Sequence, residues 1–429
     1  MQTDARRRWI VLAAAAALVA IVVLLAAYKS TYLRDVPRGD VVYDVSVARH
    51  FARGDGLTTN LMPLGALEGL AARGRATADP WPSFHKFLLP QIALVPFVKI
   101  FGATVAAARA ASLVAYAGLV LLVFGALVRA LRSVAWALAL SIAFVAFDDL
   151  NSLAISGLAA CADVLVFSIA IASWIAAIDR PKLAPLAGIA LALVVLERYS
   201  FALFVPFFLG GVLWTCGRAA AARAAIGAAA VLAPVCIWSR VRYGSLFPSP
   251  QGEQLLLFAT KYFPSDTWYT SGTPRLADVD DQWTRELAGK IAYSARLLAD
   301  VVFPSPGRSA RNVLFAALTV LGAVRVARSG AIARKVVVVL AAFAATYVAA
   351  HFLIGFSYRY VAFVFPIAWV LACTFLHDLA SRAKDRPRAF VAVALAAALA
   401  LPEIVTLTEA KAWMLAHTGP CPRDAYCNR

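Results

Sequence analysis

The sequence is poor in charge, and poorest in acid. Only 15% of its 429 residues are Asp, Glu, Lys or Arg, against about 25% in an ordinary soluble domain. That shortage excludes a water-soluble globular protein, whose surface needs its charged complement. Histidine numbers 5 and cysteine 6, and no spacing among them matches a zinc site. Four of the cysteines, Cys161, Cys216, Cys236 and Cys373, stand inside apolar runs, where a thiol packs as a small apolar group. Acidic residues number 24 against 41 basic ones, for a net charge of +17. In a soluble protein that balance would suggest a nucleic-acid partner, but here its distribution excludes one. The basic residues gather in short segments between apolar runs: Arg6 to Arg8, Arg129 and Arg132, Arg180 and Lys182, Arg218 and Arg223, Arg325 to Lys335, and Arg382 to Arg388. Together these segments hold 17 Lys and Arg against four Asp (Asp4, Asp179, Asp378, Asp385). Under the positive-inside rule they are cytoplasmic segments, and the charge sets orientation.

What the chain has in abundance is apolar sequence: 62% hydrophobic residues and a mean hydropathy of +0.75. The excess falls in runs of about 17–25 residues, the length that crosses about 30 Å of hydrocarbon. The expected fold is an all-α bundle of about eleven spans, near 9–29, 104–129, 133–148, 152–178, 183–197, 200–217, 224–240, 312–328, 333–353, 358–378 and 389–408. The run Trp9 to Tyr28 is read as a retained first span rather than a secretory signal, because Tyr28-Lys29 stands where a small-residue cleavage site belongs. Residues 1–429 form a single transmembrane domain in a bacterial inner membrane. The N-terminus is cytoplasmic, and 30–103, 241–311 and the tail 410–429 lie outside. Residues 30–86 carry seven Lys and Arg against six Asp and Glu, a balance suited to that side. Tyr43 to Phe51 and, more strongly, Trp283 to Val302 have amphipathic helical spacing and are expected to lie at the interface. Pro82, Pro90 and Pro96 make 81–101 a bent juxtamembrane or re-entrant element rather than a straight span.

The first outer loop carries the chemistry-bearing pattern. It opens Gly39-Asp40-Val41-Val42-Tyr43-Asp44, continues through Ala48-Arg49-His50 to Gly54-Asp55-Gly56-Leu57 and Leu67-Glu68-Gly69, and closes on Phe84-His85-Lys86 through Pro90 to Phe101-Gly102. Downstream come Ser156-Gly157-Leu158, Leu196-Glu197-Arg198-Tyr199, Pro234 to Trp238 with Arg242-Tyr243-Gly244 and Phe247-Pro248, and Tyr358-Arg359-Tyr360 with Pro366. In this order the segments resemble type C glycosyltransferases, particularly the arabinofuranosyltransferase-like and lipid A aminoarabinose transferase-like members of bacteria. The chain departs from them where their "S-G-M-E" acid is Ala159 and their proline after Arg198 is Tyr199. The resemblance implies a sugar donor carried on polyprenyl phosphate and a cell-envelope glycan or lipid acceptor. It also implies an outer-facing cavity roofed by a first loop with juxtamembrane helices.

Elementary chemistry agrees with that implication. A sugar on polyprenyl phosphate departs from a phosphate that is stable as an anion, so the reaction needs no general acid. One carboxylate suffices to take the acceptor's proton, with cations to stabilise the departing phosphate. Asp40 is the expected base and Asp44, one helical turn on, the substitute; the bland alternative for either is a solvated carboxylate or a helix cap. Lys86, Arg198, Arg242 and Arg359 stand at outer span ends and are expected to bind the donor phosphate; snorkelling to lipid phosphates is their alternative. Tyr43, Glu68, His85 and Tyr358 are candidate sugar or acceptor contacts. Asp163, expected near the middle of the fourth span, is an intramembrane acid with either a functional or a pairing role. No cofactor is assigned, and a divalent metal is left open. A lipid-linked sugar transporter and a non-catalytic membrane scaffold are the rival readings. Cys421 and Cys427 flank a short polar loop on the oxidising side and are expected to form a disulfide. Alkylation of native membranes without reductant should label neither thiol, and a reporter fused after Arg429 should be active only outside the cytoplasm; labelling of both, or cytoplasmic activity, would refute the tail's placement.

Overall fold

The computed structural model of the chain describes residues 2–32, 39–59, 81–82, 88–146, 148–243, 282–302, 306–354 and 361–381. These are almost wholly helical. In chain order they form α1 (Gln2–Tyr32), α2 (Gly39–Arg53), a two-residue antiparallel ladder of β1 (Thr58–Thr59) with β2 (Trp81–Pro82), and α3 (Leu88–Phe101). Next come α4 (Val105–Leu131), α5 (Val134–Ala146), α6 (Asp148–Ser156), α7 (Ala160–Asp179), α8 (Ala184–Glu197), α9 (Phe204–Cys216) and α10 (Arg218–Tyr243). The last four are α11 (Trp283–Val302), α12 (Pro306–Arg328), α13 (Ala331–Ile354) and α14 (Phe365–Ser381). Eight of the described helical segments are long and apolar enough to cross a membrane, or nine if the bent pair α5 and α6 counts as one. The chain is an all-α, multi-pass membrane protein.

The expected spans and the observed helices differ at 133–148, 152–178 and 183–197, the first being α5, whose 13 residues pass as a span only when joined to α6. The expected span at 389–408 lies outside the described residues. That at 183–197 is α8, whose 14 residues are fewer than the ~20 that cross hydrocarbon unaided. The expected fourth span, 152–178, is divided into α6 and α7, with Gly157 at the break. Gly157 has φ +76°, and a Cβ there would lie 3.2 Å from the Arg109 backbone nitrogen and 3.3 Å from the Ala108 Cβ. Glycine is therefore required both for the backbone turn and for the close approach of α4. A broken helix leaves carbonyls without helical partners, and side chains supply them: Ser112 Oγ donates to Leu158 O at 3.0 Å, and Asn151 Nδ2 and Tyr116 OH donate to Val145 O at 3.3 and 3.2 Å. Segments α5 and α6 meet across a bend of 59°.

Both amphipathic segments of the outer loops are helices, α2 and α11. Of the stretch 81–101, Trp81–Pro82 is a strand and Leu88–Phe101 a helix, so it is not one straight span. Helices α2 and α3 pack on each other. Val41, Val45 and Ala48 of α2 join Leu94 and Val98 of α3 in the main core, while Tyr43 and Val47 pack with Leu57, Leu88 and Leu196. The loop is thus seated on one end of the bundle, where α8 finishes. The other end carries the basic turns, with ion pairs Arg129–Asp179 and Arg325–Asp378 and a hydrogen bond from Lys335 Nζ to Trp214 O at 3.0 Å. Just below the α2 end lies an aromatic cluster in which Phe167 meets Phe201, Phe204, Phe343 and Phe363 at centroid distances of 4.6–5.7 Å.

Helices α8 and α10 approach most closely. A Cβ on Gly188 would meet Ala224 O at 1.8 Å, and one on Gly227 would meet Pro185 O at 2.2 Å. Backbone contact of this kind is what small residues allow between helices in lipid. Gly188→Ala should therefore cost about 1–3 kcal/mol by overpacking. Gly125→Ala, at an exposed helical site with nothing within 4 Å, should be neutral or stabilising. Thermal unfolding of both variants in detergent checks the contrast, and equal losses would refute it.

Candidate functional site

The division at Gly157 moves Asp163 from the middle of an expected span to the first turn of α7, and this corrects its depth. At that position it complements the positive end of the helix dipole. Arg198 immediately follows α8, with an extended backbone (φ −153°, ψ 116°) before a 3-10 turn at Tyr199–Leu203. Its Nε donates to Asp163 Oδ2 at 2.8 Å and its Nη2 to the same oxygen. Both side chains are buried, at 11% and 4% exposure. Charges this far from water persist only when paired and hydrogen-bonded.

Glu197 adds a second acid. It is the last residue of α8, 1% exposed, and its Oε1 has no hydrogen-bond partner among the described residues. Its carboxyl meets that of Asp163 and lies in electrostatic range of Arg198 and of Asp44 on α2. Arg198 suits the negative end of α8, but Glu197 is at the wrong end of its helix. Two carboxyl groups here share one guanidinium, a polar cluster that packing alone does not explain. Helix α13 reaches the same place: His351 lies in electrostatic range of Arg198, its Nδ1 is 2.9 Å from Tyr347 O, and Tyr347 OH is 3.0 Å from Ser200 Oγ.

The site therefore joins four elements: α7 gives Asp163, α8 gives Glu197 and Arg198, α13 gives His351, and α2 brings Asp44 over them. Position 44 lies on the inward side of α2, with Val41, Val45 and Val47 buried around it while Val42 and Arg49 are exposed on the far side. Of the residues expected from the sequence, Asp44 and Arg198 come together. Tyr43 turns instead into the apolar cluster with Leu57, Leu88 and Leu196, a packing position. Asp40 occupies the first turn of α2 and Arg242 the last turn of α10, but their side chains lie outside the described residues. So do Glu68, His85, Lys86, Tyr358, Arg359, Cys421 and Cys427. Cys161, Cys216, Cys236 and Cys373 are free thiols. Among the described residues no group of three His, Cys, Asp or Glu is arranged to hold a metal ion. Sequence reasoning gave Glu197 and His351 no role. The available signal for Glu197 was an acid closing an apolar run.

Comparison with family models, with curated proteins and with solved structures finds no match to this chain.

Removing one partner of a buried pair leaves the other uncompensated, at a cost of about 3–5 kcal/mol, whereas replacing both by apolar groups is near neutral. Arg198→Met should therefore destabilise the protein severely, and Arg198→Met with Asp163→Leu should recover most of the loss. Chemical unfolding in detergent measures both. A double variant as unstable as the single would show that Arg198 is held for another reason.

Proposed function

We propose that this chain is a glycosyltransferase that moves a sugar from a polyprenyl-phosphate donor to a cell-envelope glycan or lipid acceptor. The observation that supports it is the seating of α2 over the buried Asp163, Glu197 and Arg198, so that an acid-bearing loop helix roofs a charged centre at one end of the bundle. In this reading that end faces the periplasm or cell exterior, and the basic turns face the cytoplasm of a bacterial inner membrane. The acceptor hydroxyl attacks the anomeric carbon, the bond from that carbon to the phosphate oxygen breaks, and polyprenyl phosphate leaves as an anion. The hydroxyl proton passes to Asp40, or to Asp44 one turn further along α2. Arg198, with Lys86, Arg242 and Arg359, supplies cations for the phosphate.

A second reading, transport of a lipid-linked sugar, is favoured by two features: the bent pair α5 and α6, and the ion pair buried between helices. Broken helices and intramembrane charges mark transport pathways. The bend occurs in one half of the chain, and among the described residues no matching break appears in the other.

Substitution of the acids separates the readings. General-base assistance is typically worth about 10²–10⁴ in rate. Asp40→Asn should lower sugar transfer by about that factor while protein yield and donor binding persist. Activity should be assayed with purified protein and a panel of polyprenyl-phosphate sugars. Full activity in Asp40→Asn with loss in Asp44→Asn moves the role one turn along. Normal transfer by both variants would end the catalytic reading of α2.

A further inference from the structure

Helices α12 and α13 are joined by the short turn Ser329-Gly330, at the end of the bundle that carries the basic turns. Arg325, Arg328, Arg334 and Lys335 gather around it, and from Pro306 to Ile354 the chain holds no Asp or Glu. Two of these four cations have protein partners. Arg325 pairs with Asp378 of α14, and Lys335 donates to Trp214 O and stands 5.4 Å from the centroid of the Trp214 ring. Arg328 and Arg334 differ: their side chains are exposed and make no hydrogen bond or ion pair among the described residues. These two line one open cleft of about 440 Å³, whose other walls are Val324, Ala327, Gly330 and Ala331. From each arginine an apolar line runs away from the turn at one-turn spacing. On α12, Val324 and Val320 precede Arg328 and are 42% and 61% exposed; on α13, Val338 follows Arg334 and is 48% exposed.

An isolated arginine at a membrane interface reaches into water or among lipid phosphates wherever it meets them. Two that line the same cleft repel each other, and no side chain in its walls offsets them. The planar guanidinium fork suits phosphate oxygens, which it binds bidentately. A zwitterionic headgroup would bring an ammonium that finds no carboxylate there and adds to the repulsion. A phosphoglycerol headgroup brings negative charge alone. The apolar lines leading from the arginines match acyl chains joined to such a headgroup, which a free anion lacks. We propose that the cleft between α12 and α13 binds an anionic phospholipid, its phosphate held between Arg328 and Arg334 and its chains lying along Val320, Val324 and Val338. Basic pockets between membrane helices hold anionic headgroups by the same combination of charge and enclosure. The site depends neither on sugar transfer nor on which leaflet this end of the bundle meets.

Native mass spectrometry of the purified full chain in detergent tests this, with phosphatidylglycerol titrated against phosphatidylcholine of the same acyl chains. The parent protein should retain phosphatidylglycerol in preference. A cation near an anionic headgroup contributes about 5-fold in affinity, so Arg328→Gln and Arg334→Gln should each weaken phosphatidylglycerol binding about 5-fold, and the two together about 25-fold. Lysine at both positions keeps the charge and should recover most of that loss. Arg180→Gln with Arg218→Gln removes the same charge from exposed positions outside the cleft, and should bind as the parent does. Glycerol 1-phosphate, the headgroup without its chains, should not displace the lipid at equal concentration. The proposal is overturned if phosphatidylcholine binds as tightly as phosphatidylglycerol, or if glycerol 1-phosphate displaces the lipid, which would assign a free anion. It is equally overturned if the Arg328 and Arg334 double variant binds as the parent does, or if the Arg180 and Arg218 pair loses as much, which would show attraction spread over the whole basic end.

Discussion

Hydrocarbon offers the backbone nothing to bond to, and the rest of this structure follows from that constraint. Where the chain is continuous helix, the requirement is met internally. Where α6 and α7 part at Gly157, it is met by Ser112, which donates to Leu158 O, and at the bend between α5 and α6 by Tyr116 and Asn151, which donate to Val145 O. That local solution has a long-range effect. It lets α7 begin at Ala160, so that Asp163 occupies a first turn instead of the interior of a helix. The Arg198 guanidinium, brought up by the end of α8, then finds a carboxylate at its own height.

The two ends of the bundle show how differently charge behaves in two settings. At the end with the basic turns, Arg129–Asp179 and Arg325–Asp378 are substantially exposed pairs, of the kind that contribute little to stability. At the α2 end, Asp163, Glu197 and Arg198 are enclosed by aromatic and aliphatic side chains, where removing any one changes the charge its neighbours must bear. The rigid backbone contact of α8 with α10 through Gly188 and Gly227 holds this second group in place from below.

Much of the architecture was legible in the sequence, for physical reasons that can be named. Apolar runs declare spans because hydrocarbon thickness fixes their length, and α2 and α11 were visible because amphipathic spacing survives at an interface. The break at Gly157 was not legible. Glycine is common within membrane helices, and only the approach of Ala108 and Arg109 from α4 makes a turn necessary there. The partnership of Asp163 with Arg198 spans 35 positions, and each residue alone had a plain reading, as an intramembrane acid and as a cation at a span end. Glu197 was overshadowed by its neighbour: an acid beside an arginine at the end of an apolar run looks like a surface pair until burial shows that both face inward.

The shortness of α8 has a consequence for the lipid around it. Its 14 residues rise about 21 Å, while the hydrocarbon layer is about 30 Å thick. By itself α8 is about 9 Å too short to cross such a layer. Glu197 and Arg198 therefore stand at the end of a helix shorter than its neighbours α7 and α10, with α2 and α3 packed beside that end.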